Sequence, residues 1–431
     1  MNGVRTRFAP SPTGFLHIGG LRTALYAYAM AKHENGEFLL RIEDTDQKRE
    51  VEGATEALKF TLKKFGINWD ELYVQSERHK EGIYKKSAEK LVSEGHAFYC
   101  QCKAKNAKTE GFSVVLRDPC RDLGLTSGAI KLKVPDNEII KYTDFVHKKE
   151  ISWNTNTVYD ATLLKTDGFP TYHLAVAVDD TDMMVTHILR GHDWLPSTPI
   201  HLLTFKYVGG RVPQIGHVTD ILSVETGKKL SKRRDSVFCE QFLEEGYLPE
   251  ALLNFIMLLG WAPKDNKELF TLDEFVEAFD ITGFQNANPR FFTTKLNWFN
   301  GQYIRKLSVE ELLEKLGLDN NEKNKAIASL IQDRLEKLSD YESLTKFFFE
   351  QPDVDLKLFG NDYKEHLVKA IEGIKKDRDL MEVVKENNFK TGEFFMSLRI
   401  AITGMKFTPP INESIAILGK EETLSRLEKL I

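Results

Sequence analysis

The stretch Arg7-Phe8-Ala9-Pro10-Ser11-Pro12-Thr13-Gly14-Phe15-Leu16-His17-Ile18-Gly19-Gly20 decides the fold. A short β-like run at 4–8 enters a turn rich in Pro and Gly. The turn opens a helical pattern over 17–33, with Ile18, Leu21, Leu25, Tyr28 and Met30 near helical spacing. Gly36 closes that helix, and Glu37–Ile42 follows as a second strand. Strand, helix and strand in this order predict a parallel sheet with helices on its faces. A helix start with glycines offers N–H groups and a positive dipole end to phosphate.

The same alternation continues outward. Residues 50–65 and 77–94 read as amphipathic helices. Between 97 and 160 the character changes to short β-type runs, Ile130–Val134 and Ile139–Val146, separated by polar turns; this is read as an α+β insertion. The α/β pattern resumes at 161, with a strand at Val185–Leu189 and a helix over Trp194–Val208 that carries Pro196 and Pro199 early. From 246 the chain turns helical, and Ala251 to Trp261 reads as an apolar core helix behind a first-turn Pro249. Beyond 301 there is no strand signal and only Pro352, Pro409 and Pro410, so an all-α region is expected. The expected boundaries are 1–96, 97–160, 161–245, 246–300 and 301–431, in a Rossmann-like α/β frame.

Composition excludes several classes. With 431 residues the chain has room for a large core and several domains. A net charge of −5 argues against a protein that coats polyanions, though not against local positive patches. No apolar run is long enough to span a bilayer, and no signal segment is read at the N-terminus. Four cysteines at irregular spacing do not form a disulfide framework. A cytoplasmic, reduced and monomeric protein is expected.

A second string, Lys228-Lys229-Leu230-Ser231-Lys232-Arg233-Arg234, follows Ile221–Val224 far downstream. Alone it would read as a solvated basic turn. Paired with His17 and Gly19-Gly20, it completes a split ATP site. Its lysines can stabilise charge that develops on a leaving pyrophosphate.

These two strings, with Arg41-Ile42-Glu43-Asp44-Thr45-Asp46 between them, resemble the class I glutamyl-tRNA synthetases of the bacterial type. The first is similar to their HIGH motif and the second to their KMSKS loop. The resemblance implies ATP binding by Gly14, His17, Gly19, Gly20, Lys229, Leu230, Ser231, Lys232 and Arg233, with Mg²⁺, and catalytic roles for His17, Lys229 and Lys232. It implies a glutamate pocket of Arg7, Ala9, Ser11, Glu43, Tyr172 and Arg190. Arginine suits planar carboxylates and Glu43 suits an ammonium. Gln would set N–H groups against N–H groups there. Val176, where many members carry Asn, and the pair His192-Asp193 depart from the family pattern.

Three further features stay open at this level. Cys100, Cys102, Cys120 and Asp122 resemble the zinc site of some members; the alternative is three free thiols. Asp179, Asp180 and Asp182 read as structural ion-pair and cap residues rather than metal ligands. Arg334 falls where discriminating members place an anticodon reader, and the alternative is a surface Arg paired with Asp333 or Asp340. The all-α end argues against a glutaminyl-tRNA synthetase, and the length argues against the truncated paralogue that modifies a tRNA base. The resemblance leaves three functions to separate: an enzyme that charges tRNA-Glu, one that also charges tRNA-Gln, and a non-catalytic tRNA-binding homologue. It also implies that amino-acid activation requires bound tRNA.

Overall fold

The computed structural model describes residues 3–46, 49–102, 116–230 and 237–431. They fall into two compact units, Met1–Phe242 with Leu252–Phe292, and Leu243–Ala251 with Thr293–Ile431.

The first unit opens with β1 (Arg5–Phe8), α1 (Ile18–His33), β2 (Glu37–Ile42), α2 (Ala54–Lys64) and β3 (Glu71–Val74). β2 lies between β1 and β3 and is parallel to both. Two helices follow, α3 (Gln75–Lys80) and α4 (Ile83–Ser93). The single helix expected over 77–94 is thus divided, because Gly82 adopts a left-handed φ of 77°.

The insertion contributes β4 (Ala97–Cys100), β5 (Ala129–Leu132), β6 (Ile139–Asp144), β7 (Lys149–Asn154) and β8 (Thr162–Leu164). β4, β5 and β8 form one antiparallel sheet, and β6 and β7 form a hairpin. The insertion has a small cluster of its own, Phe98, Cys100 and Cys120 with Leu125, but its main apolar contacts are shared with the frame. Ile130, Leu132 and Leu163 pack in one cluster with Leu174, Val178, Ile200 and Leu203 from the elements that follow. Burial of these side chains holds the insertion against the α/β frame.

Those elements are α5 (Tyr172–Asp182), β9 (His187–Gly191), α6 (Thr198–Val208) and β10 (Gln214–Val218), with β9 and β10 parallel. The expected helix start at Trp194 is a 3₁₀ turn over His192–Ser197 that holds Pro196, and the α-helix begins at Thr198. Thr186 joins the two halves of the frame. Its N–H donates to Arg5 O at 2.8 Å, and its hydroxyl accepts from Arg5 N–H at 2.7 Å. β9 therefore lies beside β1, and the strand order reverses between them. Ligands in open α/β sheets bind at such a reversal, outside the carboxyl ends of the strands. Arg7 and Arg190 stand near those ends.

In the second unit every described element from Thr293 onward is helical, as the sequence predicts. Val309–Leu316 begins at a capping box in which Ser308 and Glu311 satisfy each other's backbone N–H groups. One core gathers Ile304, Leu312, Ile327 and Phe347, and a second gathers Leu367, Phe394, Leu398 and Leu427. Arg426 is buried and donates to the carbonyls of Phe347 and Ile402, both at 2.8 Å. Among the described residues of the chain, no helix is long and apolar enough to cross a membrane.

Gly216 on β10 lies directly against the insertion. A Cβ there would lie 2.6 Å from Val146 Cγ2 and 2.7 Å from Phe145 Cζ. Gly216→Ala is expected to destabilise the first unit by about 1–3 kcal/mol, the usual cost of overpacking. Denaturant unfolding checks this; an unchanged midpoint would mean that the insertion yields at this contact.

Candidate active site

A cleft of about 550 Å³ opens at the strand reversal. The turn after β1, the start of α1, the end of β9 and the segment around Lys229 line it. Of the expected residues it gathers Arg7, Ala9, Ser11, Gly14, His17, Gly19, Gly20, Tyr172, Arg190, Lys229 and Leu230. Ser231, Lys232 and Arg233 lie outside the described residues.

His17 is the N-cap of α1. Its Nδ1 accepts from Gly20 N–H at 3.1 Å, which places the ring proton on Nε2. The Ile18 amide donates to Val237 O at 2.9 Å. Among the described residues, Gly19 N–H is thus the first-turn donor left for an anion. A Cβ on Gly19 would lie 3.1 Å from two atoms of the His17 ring, so glycine keeps the ring seated against the helix start.

The basic loop is tied down on both sides. Leu230 N–H donates to Ile221 O and Cys239 N–H donates to Leu16 O, each at 2.9 Å. Lys229 pairs with Asp193 and, at 2.8 Å, with Asp220. Burial opposes the Lys229 ammonium, but the two carboxylates outweigh it and raise the pKa above the ordinary lysine value. Asp193, one of the two departures from the family pattern, thus holds a motif lysine in place.

Arginines dominate the other side. Arg7 on β1 donates to Asp180 at 3.2 Å, and Arg41 on β2 pairs with Asp180 at 2.5 Å and with Glu43 at 3.1 Å. Burial works against the Asp180 carboxylate, but Arg41 and Arg7 outweigh it and hold its pKa below the usual value. Asp179 accepts from Gln75 and Arg78, both at 2.7 Å, and from Tyr84 at 3.0 Å. The acidic cluster is therefore structural, as read from the sequence. Glu43 does not line the main cleft. It borders a recess of about 20 Å³ whose walls include Ser11 and Thr13, which also face the cleft. Burial raises its carboxyl, against the pull of Arg41 and Arg7.

Tyr172 opens α5 and packs against Trp194 with ring centroids 4.2 Å apart and the rings tilted by 37°. Val176 is buried in the same helix and is not part of the cleft wall. Arg190 is held differently from Arg7 and Arg41. It donates to His217 Nε2 at 3.0 Å, His201 Nδ1 at 2.8 Å and Thr198 Oγ1 at 2.8 Å. No local pattern points to His201 and His217, because each is a lone His that only long-range folding brings to Arg190.

The cysteine cluster sits in the insertion, and it corrects the expected ligand set. Cys100, Cys102, Cys120 and Asp118 place their ligand atoms within 4.8 Å of one another. Cys102 Sγ is 3.5 Å from Cys120 Sγ, and Cys100 Sγ is 3.3 Å from Asp118 Oδ2. These spacings fit the edges of a tetrahedron with Zn–S bonds of about 2.3 Å. Asp122 is not in this cluster. It is exposed and pairs with Lys133 at 2.9 Å. Asp118 reaches inward because its carboxylate also caps Cys120 N–H at 2.9 Å.

In the second unit, Arg334 ends a 3₁₀ turn over Gln332–Arg334 and is exposed. Among the described residues it pairs with neither Asp333 nor Asp340; Asp340 instead accepts from the amides of Glu336 and Lys337.

Residues 3–112 and 126–298 match the family described as tRNA synthetases class I (E and Q), catalytic domain, and 302–431 match an anticodon binding domain. Fold and cleft are those of a class I tRNA synthetase. A glutamate–tRNA ligase of Finegoldia magna is 37% identical over 489 aligned positions, and one of Bacillus subtilis is 36% identical over 487; each alignment covers 100% of both chains. The crystal structure of a glutamate tRNA ligase from Elizabethkingia meningosepticum in complex with its amino acid superposes with a TM-score of 0.88 at 32% identity, covering 99% of each chain. The chain belongs to the glutamate–tRNA ligase family.

The histidines around Arg190 carry a pH signature. Burial lowers the pKa of His173 to about 4, with Arg190 adding to the effect. Burial, then Arg190, also lower His201, and burial lowers His217 despite Asp144. In the unfolded chain each titrates near about 6.5. Below that value the unfolded state takes up protons that the folded state refuses, so this stability is present above about pH 6.5 and falls toward pH 4. Glu43, with its raised carboxyl, acts in the opposite sense. The unfolding midpoint is expected to drop between pH 7 and 5, and less steeply in His173→Gln. An equal slope in that variant would remove His173 from the account.

Proposed function

We propose that this chain ligates L-glutamate to the 3′ end of tRNA-Glu through a glutamyl-adenylate. The observation that carries the reading is a single cleft. It sets a phosphate-binding helix start and a motif lysine beside arginines suited to the amino acid's carboxylates. The α-carboxylate of glutamate attacks the α-phosphorus of ATP and pyrophosphate leaves. The terminal ribose hydroxyl of the tRNA then attacks the acyl carbon and AMP leaves. Positioning and electrostatics supply the rate, without a covalent enzyme intermediate.

In this reading His17 and the Gly19 amide hold phosphate oxygens. Lys229 leaves Asp193 and Asp220 to join Lys232 on the departing pyrophosphate, with Arg233 supporting them. Mg²⁺ carried by the nucleotide neutralises phosphate charge and needs few protein ligands. Arg7 and Arg190 receive carboxylates, Tyr172 closes the pocket, and Glu43 faces the ammonium across Ser11. The insertion at 97–160 receives the acceptor end, residues 246–300 contact the stem, and 301–431 bind the anticodon. The enzyme acts as a cytoplasmic monomer.

Cys100, Cys102, Asp118 and Cys120 hold one structural Zn²⁺, which ties the end of β4 to the residues around Asp118 and Cys120. Purified protein should carry about one equivalent of zinc, as a closed four-ligand site does. Cys102→Ser should lose the metal and Asp122→Ala should keep it. Metal analysis that finds no zinc in protein made in zinc-replete medium would leave the cluster as free thiols.

Arg334 reads the third anticodon base. Approaching the Watson–Crick edge, its donors match O2 and N3 of cytosine and oppose the N1–H and N2–H donors of guanine, which separates the two bases by about 1–3 kcal/mol, the range of one good base contact. Charging of purified tRNA-Glu and tRNA-Gln with labelled glutamate tests both activity and range. The expected result is charging of tRNA-Glu alone, with Arg334→Gln shifting the ratio toward tRNA-Gln. Equal charging of both by the wild type would identify a non-discriminating enzyme. No charging of either would identify a tRNA-binding homologue without catalysis.

A further inference from the structure

Arg190 is 5% exposed and comes from the end of β9. A guanidinium only donates hydrogen bonds. Each atom that receives from Arg190 must therefore present a lone pair, and that requirement fixes the protons of the whole surrounding network. His217 accepts at Nε2, so its proton is on Nδ1, where Asp144 Oδ2 lies 2.7 Å away. His201 accepts at Nδ1, so its proton is on Nε2, which faces His173 Nδ1 at 3.0 Å. Thr198 accepts from Arg190 at 2.8 Å and sends its own proton to Trp194 O at 3.3 Å. One arrangement of protons satisfies every partner.

The consequence is electrostatic. Arg7 and Arg41 share the carboxylate of Asp180. Arg190 has three neutral acceptors in the corresponding places and, among the described residues, no carboxylate in ion-pair range. Neutral acceptors orient a guanidinium without cancelling its charge. A carboxylate at the same place would compete with the substrate's own.

The network does not end at the pocket. Asp144 is the last residue of β6, within the insertion, and is fully buried. Its carboxylate also accepts from the amides of Val146 and His147, at 3.0 and 3.1 Å, and from the Tyr142 hydroxyl at 3.1 Å. The placement of the insertion hairpin is therefore felt at Arg190 through a single imidazole.

We propose that His201 and His217 are positioning residues that present Arg190 to a substrate carboxylate with its charge unspent, and that Asp144 ties this presentation to the insertion. The proposal rests on the reading that Arg190 receives a carboxylate of glutamate. It makes the cradle, and not Arg190 alone, the determinant of glutamate over glutamine, because a carboxamide cannot offset the retained charge.

The two imidazoles accept through different nitrogens, and this gives a test in which each position supplies its own control. An Asn oxygen can stand where Nδ1 stood, and a Gln oxygen where Nε2 stood. His201→Asn and His217→Gln keep an acceptor for Arg190; His201→Gln and His217→Asn lose it. The assay is aminoacylation by the full-length enzyme with tRNA-Glu, in which KM is measured for glutamate and for ATP. The two variants that lose the acceptor should raise KM for glutamate by about 10- to 100-fold, as for a lost hydrogen bond to a charged group. KM for ATP should stay unchanged, and the preference for glutamate over glutamine should fall. The two variants that keep the acceptor should stay near the wild type. A purely structural role would not separate Asn from Gln at one position, still less in opposite senses at two.

Where a histidine variant does not fold, Thr198→Val removes the third acceptor with a near-isosteric side chain and should raise the glutamate KM in the same direction. Arg190→Gln separates the two ways of failing. If it raises the glutamate KM while the histidine pairs behave alike, the cradle proposal is overturned and the pocket reading stands. If it leaves that KM unchanged, both fall.

Discussion

Asp180 accepts from two buried guanidiniums, Arg7 on β1 and Arg41 on β2, and itself sits on α5. Two strands and a helix that are far apart in sequence are thereby fixed to one carboxylate. Removing Asp180 would leave Arg7 buried without a carboxylate partner, which typically costs about 3–5 kcal/mol. The same α5 presents Tyr172 at its first turn. The positions of Arg7 and Tyr172 in the cleft wall thus follow from this ion-pair cluster. Once Asp180 is shared by Arg7 and Arg41, Arg190 has no carboxylate in ion-pair range among the described residues, and its neutral cradle keeps it so.

The nucleotide side is built by backbone instead. A strand end, a Pro- and Gly-rich turn and a helix start bring one open amide and the His17 ring to the cleft floor. The loop with Lys229 is held at Leu230 by Ile221 and at Cys239 by Leu16. Asp193 and Asp220 hold Lys229 at the cleft; in the function proposed above it exchanges them for phosphate. Charge built up in the transition state is where such a lysine contributes most to rate.

The first strand–helix–strand and the helical end were legible because each has a long, strongly periodic signal. β3, β4, β7, β8 and β10 were not singled out. They are three to six residues long, and their pairing is set by partners distant in the chain. The rare motif residues were legible through the family they resemble. His201, His217 and Asp144 were not, since a hydrogen-bond network across three elements leaves no local pattern. The fourth residue of the cysteine cluster has a similar origin. The resemblance pointed to Asp122, and only the turn that directs Asp118 at Cys120 N–H sets Asp118 there instead.

The central claim is that charge in the pocket is sorted, with two arginines neutralised and Arg190 held by neutral rings. Nitrogen-15 NMR of histidine-labelled enzyme at pH 7, assigned by single substitutions, reads the protonation of each ring nitrogen directly. The account predicts a neutral ring protonated at Nδ1 for His217 and a neutral ring protonated at Nε2 for His201. A doubly protonated imidazolium at either position, or the opposite tautomer at either, would contradict it.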